Sequence, residues 1–539
     1  MAYPERAIPT LSPGALSSPS RSAVISPSWS RTRPLVWPLA LTWFGFLALT
    51  VLSQSPAFRV YDAGWLPYLE SVRRFTYSLG PNVLLSAERD GIGAVVAITI
   101  YLVVITALLG GWVWAIRRAR AIELNGVAPL LVMTSLLALP LLILPGLVSD
   151  DLYLYNLYGR TISVYGANPI YQPPSSFPSD PHLQWVYWRD LPSSYGPIWL
   201  MLCAALSHVG ADSVTLMVIV YRGAAAILHL LTVMALWSTL HSMRPRTAST
   251  GTIFYAWNPL VLLEVVGNAH NDVLVALFAV LLVTAAMRRA WLSSAFFAAC
   301  AVMVKPYAVM LLGPVARNIF VASRGWDVPR RLALAGLVAA VTMLFVSLPL
   351  WAGGTLLMNV LANPASEMYT NTLWEGASEI AARLFNVSTV AVQHPYLDVL
   401  RGGAFIIAAA WVLTRGVSRR DVADVSFRLW LVFALTASWV WPWYFVPALA
   451  LAPLAGAARL PAATALTIGG LLFWTTWPER TAWRLEWLFA WRSVVLFGPV
   501  VLTLTWSPAR RLMFMLLGLK SRGAADTDPG DVRLQTATG

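Results

Sequence analysis

The chain has 539 residues, 58% of them hydrophobic and only 12% charged, with a mean hydropathy of +0.64; soluble domains carry roughly 25% charged residues. Its formal charge of +13 does not mark a nucleic-acid binder, because the arginines fall in short clusters between apolar runs and form no continuous basic face. The two cysteines, Cys203 and Cys300, lie inside apolar stretches, which excludes a disulfide framework or a thiolate metal site. An all-α polytopic membrane protein is the class that remains.

Residues 1–34, rich in Ser, Pro and Arg, read as a disordered cytoplasmic arm. The apolar run 35–53 has no clear small-residue cleavage site and reads as an anchor. Further spans are expected near 92–116, 126–147, 213–240, 249–265, 272–287, 291–304, 306–322, 332–350, 402–415, 424–440, 443–457, 461–476 and 488–506. Together they make about 12–14 crossings in a transmembrane domain over 35–506, followed by a cytoplasmic tail over 507–539. The pair 291–304 and 306–322 reads as a broken or re-entrant hairpin, tolerated where protein buries it.

Arginine placement sets the sidedness. Arg117, Arg118 and Arg120, Arg244 and Arg246, Arg288 and Arg289, Arg317, Arg324, Arg330 and Arg331, Arg415, Arg419 and Arg420, and Arg510 and Arg511 all fall on one side. The positive-inside rule makes that side, and both termini, cytoplasmic in a bacterial plasma membrane. The scheme requires that 197–210, apolar but short, stays at the outer face without crossing. It puts the polar loops 54–91, 148–212 and 351–401 outside, with the connections Gly267–Asp272, Val304–Lys305 and Trp441–Tyr444. Carriers place their polar sites near the bilayer midplane; polar groups gathered at one surface favour an interfacial enzyme.

The densest polar signal is Ser149-Asp150-Asp151 followed by Tyr153, Tyr155, Tyr158 and Arg160. Helix capping accounts for one of the adjacent acids, and the other is a candidate base; either Asp151 or Asp150 fits. Gly166-Ala167-Asn168-Pro169-Ile170-Tyr171 and Ser194-Tyr195-Gly196-Pro197 follow as turns of a structured loop. Glu264 sits in an apolar segment and so wants a partner or a function. Arg222, seven residues before His229, is a candidate ion-pair partner. In Gly267-Asn268-Ala269-His270-Asn271-Asp272, Asn271 and Asp272 either cap the next helix or face a substrate. Only two lysines occur among 38 basic residues. Lys305, at a turn before Pro306, either snorkels or binds phosphate as a compact point charge. Trp439-Val440-Trp441-Pro442-Trp443-Tyr444 breaks two spans with aromatic residues.

In this order, from Asp151 through Asn258-Pro259, His270-Asn271-Asp272 and Lys305-Pro306 to Pro442-Trp443-Tyr444, the motifs resemble the bacterial polyprenol-phosphate-mannose-dependent α-1,6-mannosyltransferases of the glycosyltransferase C superfamily. The resemblance runs from about residue 145 to 450. It implies a lipid-linked hexose donor, mannose first, a glycan or glycolipid acceptor, and an acidic base in the first large external loop, which by position is Asp151 or its neighbour Asp150. Lys305, Arg160, Arg222 and His270 are then the candidate donor-phosphate ligands. Tyr153, Tyr155, Asn168, Tyr195, Glu264, Asn271, Asp272, Trp443 and Tyr444 are the candidate substrate contacts. Polyprenyl phosphate is already a good leaving group, so one base suffices, unlike the two carboxylates of glycoside hydrolysis; no metal or other cofactor is expected. The alternatives are a polysaccharide ligase or polymerase using lipid pyrophosphates, and a flippase for lipid-linked sugars.

Overall fold

A chain this apolar satisfies its backbone polar groups within helices. A computed structural model of the protein describes residues 28–52, 91–122, 124, 126–143, 149, 151–363, 368–415, 421–476 and 491–519. Most of the N-terminal arm, loop 54–91 up to residue 90, Asp150 and the tail beyond 519 lie outside the described residues. Among those described there is no β-sheet, only one isolated parallel bridge between Thr370 and Trp439.

The helices open with α1 (Val36–Leu52), α2 (Gly91–Ala119), α3 (Ala128–Leu142), α4 (Asp151–Ser163), α5 (Pro197–Gly210), α6 (Val214–Met243), α7 (Pro245–Ala256) and the short α8 (Pro259–Leu262). They continue as α9 (Asp272–Met287), α10 (Trp291–Val302), α11 (Leu312–Ala322), α12 (Asp327–Ser347), α13 (Thr355–Leu361), α14 (Leu373–Phe385), α15 (Thr389–Val392) and α16 (Asp398–Thr414). The last are α17 (Val422–Thr436), α18 (Val446–Ala455), α19 (Leu460–Phe473), α20 (Arg492–Thr505) and α21 (Ser507–Leu516). Five helical stretches are long and apolar enough to cross a membrane: Thr99–Ala119, Val214–Met243, Asp327–Leu350, Thr389–Thr414 and Ala457–Thr476. Shorter apolar helices fill the space between them, and the protein is a multi-pass, all-α membrane protein.

Two of these long helices differ in what they face. Along α16 the large side chains Val399, Ile406, Ile407 and Trp411 are exposed, as on a helix that meets lipid. The core instead collects α7, α9, α18 and α19, most of whose residues are buried.

The expected single span 249–265 is interrupted. Helix α7 stops at Ala256, and Asn258 restarts the chain as the N-cap of α8, its Oδ1 accepting from the Leu260 and Val261 amides. Its amide donates to Thr467 Oγ1 at 2.8 Å. A π-helical turn, Leu263–Gly267, follows, a form that concentrates at functional sites. The pair 291–304 and 306–322 is likewise broken: Lys305 is extended (φ −138°, ψ 121°) and Pro306 opens a 3-10 turn over Pro306–Leu311. A third interruption, at Pro442, begins the turn Pro442–Phe445 before α18.

Helix α4 packs along α5 so closely that a Cβ added at Gly159 would lie 2.3 Å from the Cys203 carbonyl oxygen. This crossing fixes the angle at which α4 presents its first turn. Gly159→Val is expected to lower stability by about 1–3 kcal/mol, as overpacking does, seen as a lower thermal midpoint in detergent. Gly223→Ala, where an added Cβ meets nothing within 4 Å, should leave the midpoint unchanged.

Candidate active site

The breaks at Lys305-Pro306 and Pro442 and the start of α4 line a cavity of about 880 Å³, and the loop after the π turn packs behind its wall, His270 against Trp443 and Asp272 on Lys305. Its wall includes Asp151, Tyr158, Tyr195, Lys305, Tyr307, Trp443 and Tyr444, and on a further side Tyr369, Glu375, Arg401 and Arg492. The volume suits a drug-sized or disaccharide-sized ligand.

Asp151 opens α4, with the Ser149 hydroxyl accepting its backbone N–H at 3.2 Å. The capping role thus falls to Ser149. The Asp151 carboxylate accepts from the Tyr155 hydroxyl at 3.3 Å, and that hydroxyl also lies 3.4 Å from Asn271 Oδ1. Burial, then the neighbouring Tyr195 and Asp151, hold the Tyr155 phenol well above its usual range. It therefore stays protonated and can only donate toward a carboxylate.

The π turn and a left-handed Ala269 (φ +57°) deliver His270 to the site. For a residue with a Cβ that backbone costs on the order of 1 kcal/mol. The ring is fully buried, with Nδ1 3.5 Å from Asp151 Oδ2 and Nε2 3.5 Å from Glu264 Oε2. Both separations exceed an ordinary hydrogen bond, and neither nitrogen finds a closer partner. Burial, and then the Lys305 charge, hold the imidazole well below its usual pKa, so the ring is neutral between the two carboxyl groups. Its face stacks on Trp443 at 3.8 Å and 19°, and Trp443 stacks on Trp441 at 5.0 Å and 7°. Glu264 also accepts from the Trp474 indole and the Asn268 amide, each at 2.9 Å.

Asn271 is the N-cap residue of α9 without a side-chain capping bond. Asp272 accepts from Lys305 Nζ at 2.6 Å and from the Tyr307 hydroxyl. Lys305 is ringed by Tyr444, Tyr307 and Tyr195, at 5.2, 5.6 and 5.9 Å from its ammonium to the ring centres. Asp272 and the aromatic faces offset the cost of burying this ammonium. On the far wall Arg492 pairs with Glu375, which also accepts the Asn371 backbone N–H at 2.7 Å. Arg401 contacts Tyr369 and Asp398.

Other sequence candidates lie away from the cavity. Arg160 is spent on Asp180 (2.7 Å), Asp212 (2.9 Å) and the Ala211 carbonyl (2.8 Å), clamping the loop 164–212 to α4. Arg222 donates to the Leu142 carbonyl at 3.3 Å; the anticipated Arg222–Glu264 pair is replaced around Glu264 by Trp474, Asn268 and His270. Asn168 caps its own turn, accepting the Ile170 amide at 3.0 Å, and Tyr153 is buried within α4 without lining the cavity. Tyr307, Tyr369, Glu375, Arg401 and Arg492 escaped the sequence reading. Tyr307 directly follows Lys305-Pro306, which was signal enough. Among the described residues no group of three His, Cys, Asp or Glu is placed to hold a metal ion.

Comparison with known proteins adds the family. The sequence model of the family described as α-(1→6)-mannopyranosyltransferase, N-terminal domain, matches residues 42–321, just over half of the chain. The protein called α-(1→6)-mannopyranosyltransferase A of Corynebacterium glutamicum is 24% identical over 421 residues, covering 69% of this chain and 81% of that protein.

The lowered pKa of His270 has a consequence for stability. The unfolded ring protonates near 6.5 and the folded ring only well below that, so the unfolded state binds more protons between those values. The stability that rests on a neutral His270 is complete above about pH 6.5 and is lost as pH falls below it. A His270→Gln variant should show a flatter loss of thermal midpoint between pH 7 and pH 5 than the wild type.

Proposed function

The chain belongs to the α-(1→6)-mannopyranosyltransferase family and is a membrane glycosyltransferase; from that premise we propose that it moves mannose from a polyprenyl-phosphate donor to a glycan or glycolipid acceptor at the outer membrane face. The observation that carries this reading is the shared cavity wall of Asp151 and Lys305, a carboxylate and a cation in one large apolar-lined space. An enzyme that displaces a phosphate needs one base for the attacking hydroxyl and positive charge for the leaving group.

In this mechanism the acceptor hydroxyl attacks the anomeric carbon of the donor sugar while Asp151 takes the hydroxyl proton. The new bond joins acceptor oxygen to the anomeric carbon, and the bond from that carbon to the phosphate oxygen breaks. The electron pair leaves with the phosphate. One displacement inverts the anomeric centre. Tyr155 and the neutral His270 act on Asp151 as positioning residues, one donating to it and the other resting on the Trp443 stack. Glu375, the other carboxylate among the described residues of the wall, is held in an ion pair with Arg492.

The phosphate faces cations on two walls. Lys305 already serves Asp272 and brings only part of its charge to a ligand. Arg401 lines the same cavity, donating to the Thr436 carbonyl at 3.3 Å and reaching Asp398 at 3.7 Å, which leaves further guanidinium N–H groups for a phosphate oxygen. Arg160 and Arg222 are left as structural residues, and Tyr195, Trp443 and Tyr444 offer aromatic faces for the sugar.

Purified protein in proteoliposomes, given radiolabelled polyprenyl-phosphate mannose, is expected to label an oligomannoside acceptor, and GDP-mannose should not replace that donor. Transfer from GDP-mannose by the purified protein, or movement of the lipid-linked sugar without transfer, would overturn the proposal. Arg401→Gln should raise the donor KM by roughly tenfold, the scale of one charged hydrogen bond, with its thermal midpoint unchanged.

A further inference from the structure

Helix α9 begins at Asp272, the partner of the cavity-lining Lys305, and its 16 residues carry the chain about 24 Å away to a second and smaller cavity. It ends in a Schellman turn: the Ala290 N–H donates to the Ala285 carbonyl at 2.9 Å and the Arg289 N–H to the Ala286 carbonyl at 3.1 Å. The residue at this corner must be left-handed and is usually Gly. Here it is Arg289, at φ +63°. A side chain kept at a position whose backbone disfavours one points to a use for that side chain.

Arg289 lines a cavity of about 370 Å³ together with Arg331, Asn318, Ser323 and Trp291. Among the described residues the Arg289 side chain has no hydrogen bond or ion pair, and Arg331 approaches Asp327 only at 3.6 Å. Two buried polar atoms in the same wall, Asn318 Oδ1 and Ser323 Oγ, also lack hydrogen-bond partners. Asn318 is 6% exposed, and its amide makes one long bond, 3.5 Å, to the Ala286 carbonyl. Buried polar atoms without partners call for an explanation, and a ligand in this cavity supplies one. Beside the cavity, Trp326 is 87% exposed and Phe320 67% exposed, the placing of aromatic anchors at a membrane–water boundary.

We propose that this cavity binds the phosphate of an anionic phospholipid whose headgroup carries free hydroxyls. The Arg289 and Arg331 guanidiniums match phosphate oxygens in the bidentate manner for which arginine is suited. The Ser323 hydroxyl donates to a further oxygen, and Asn318 Oδ1 accepts from a headgroup hydroxyl. A zwitterionic choline lipid offers the same phosphate but no hydroxyl for Asn318, and it brings a quaternary ammonium toward the two arginines. Basic pockets between helices at headgroup depth are suited to this kind of recognition. The bound lipid would hold the α11–α12 turn at the surface, at the end of α9 opposite Asp272.

The test is native mass spectrometry of the full-length protein released from micelles containing phosphatidylglycerol and phosphatidylcholine in equal amounts. Wild type should retain phosphatidylglycerol at least tenfold over phosphatidylcholine. Arg289→Gly should lose that preference while its thermal midpoint in phosphatidylcholine stays level or rises, because glycine suits the left-handed corner. Asn318→Leu should lower the preference for phosphatidylglycerol more than that for phosphatidic acid, which lacks the hydroxyls. Arg324→Gln, an exposed arginine outside the cavity wall, should behave as wild type. Equal retention of the two lipids by wild type, or wild-type preference in Arg289→Gly, would overturn the proposal. Displacement of the lipid by millimolar inorganic phosphate would overturn the lipid as its occupant.

Discussion

Asp151 Oδ2 stands 3.5 Å from a fully buried imidazole that rests on an indole 3.8 Å away, and this contact draws together three distant parts of the chain. Helix α4 must begin at Asp151, the loop after the π turn must swing His270 inward through a left-handed alanine, and the chain must break at Pro442 to lay Trp443 beneath the ring. None of the three is favourable alone. A π turn, a left-handed alanine and interrupted helices all cost backbone free energy, which packing elsewhere must offset. The predominantly buried helices α7, α9, α18 and α19 supply the rigid surround.

Charge compensation is the second constraint. Lys305 with Asp272, Arg492 with Glu375, and Arg160 with Asp180 are each buried, and burying one partner alone would leave an uncompensated charge. The pairs differ in position, and position separates their roles. Arg160 ties a loop to a helix and leaves the cavity untouched. The Lys305 and Arg492 pairs lie in the cavity wall, where an incoming phosphate can share their cations. The same accounting, applied at the other end of α9, leaves Arg289 without a partner among the described residues and so directs attention to a ligand there.

Much of this was legible in the sequence, and the rest was not for physical reasons. Hydropathy fixed the all-α membrane class because a bilayer permits few alternatives, and the order of short motifs from Asp151 to Tyr444 carried the family. Asp272 and Lys305 were each singled out, yet their pairing was not, since 33 residues and two helices separate them. Glu375 and Arg492 are 117 residues apart, with nothing local in either to announce the other. Arg160 and Arg222 looked like phosphate ligands because a buried arginine demands an anion or an acceptor. The sequence shows the demand and not which group meets it: acidic side chains for Arg160, and for Arg222 a contact to the Leu142 carbonyl. The restart at Asn258 and the π turn behind it were hidden inside an apolar run, where hydropathy cannot distinguish a continuous helix from a broken one.

The account depends most on Asp151 as the group that accepts the acceptor's proton. The direct measurement is single-turnover transfer from polyprenyl-phosphate mannose by wild type, Asp151→Asn and Asp151→Glu, each checked for donor binding and thermal midpoint. The account predicts that Asp151→Asn binds donor normally and slows transfer by about 10²–10⁴-fold, with partial recovery in Asp151→Glu. Transfer by Asp151→Asn at the wild-type rate would contradict it.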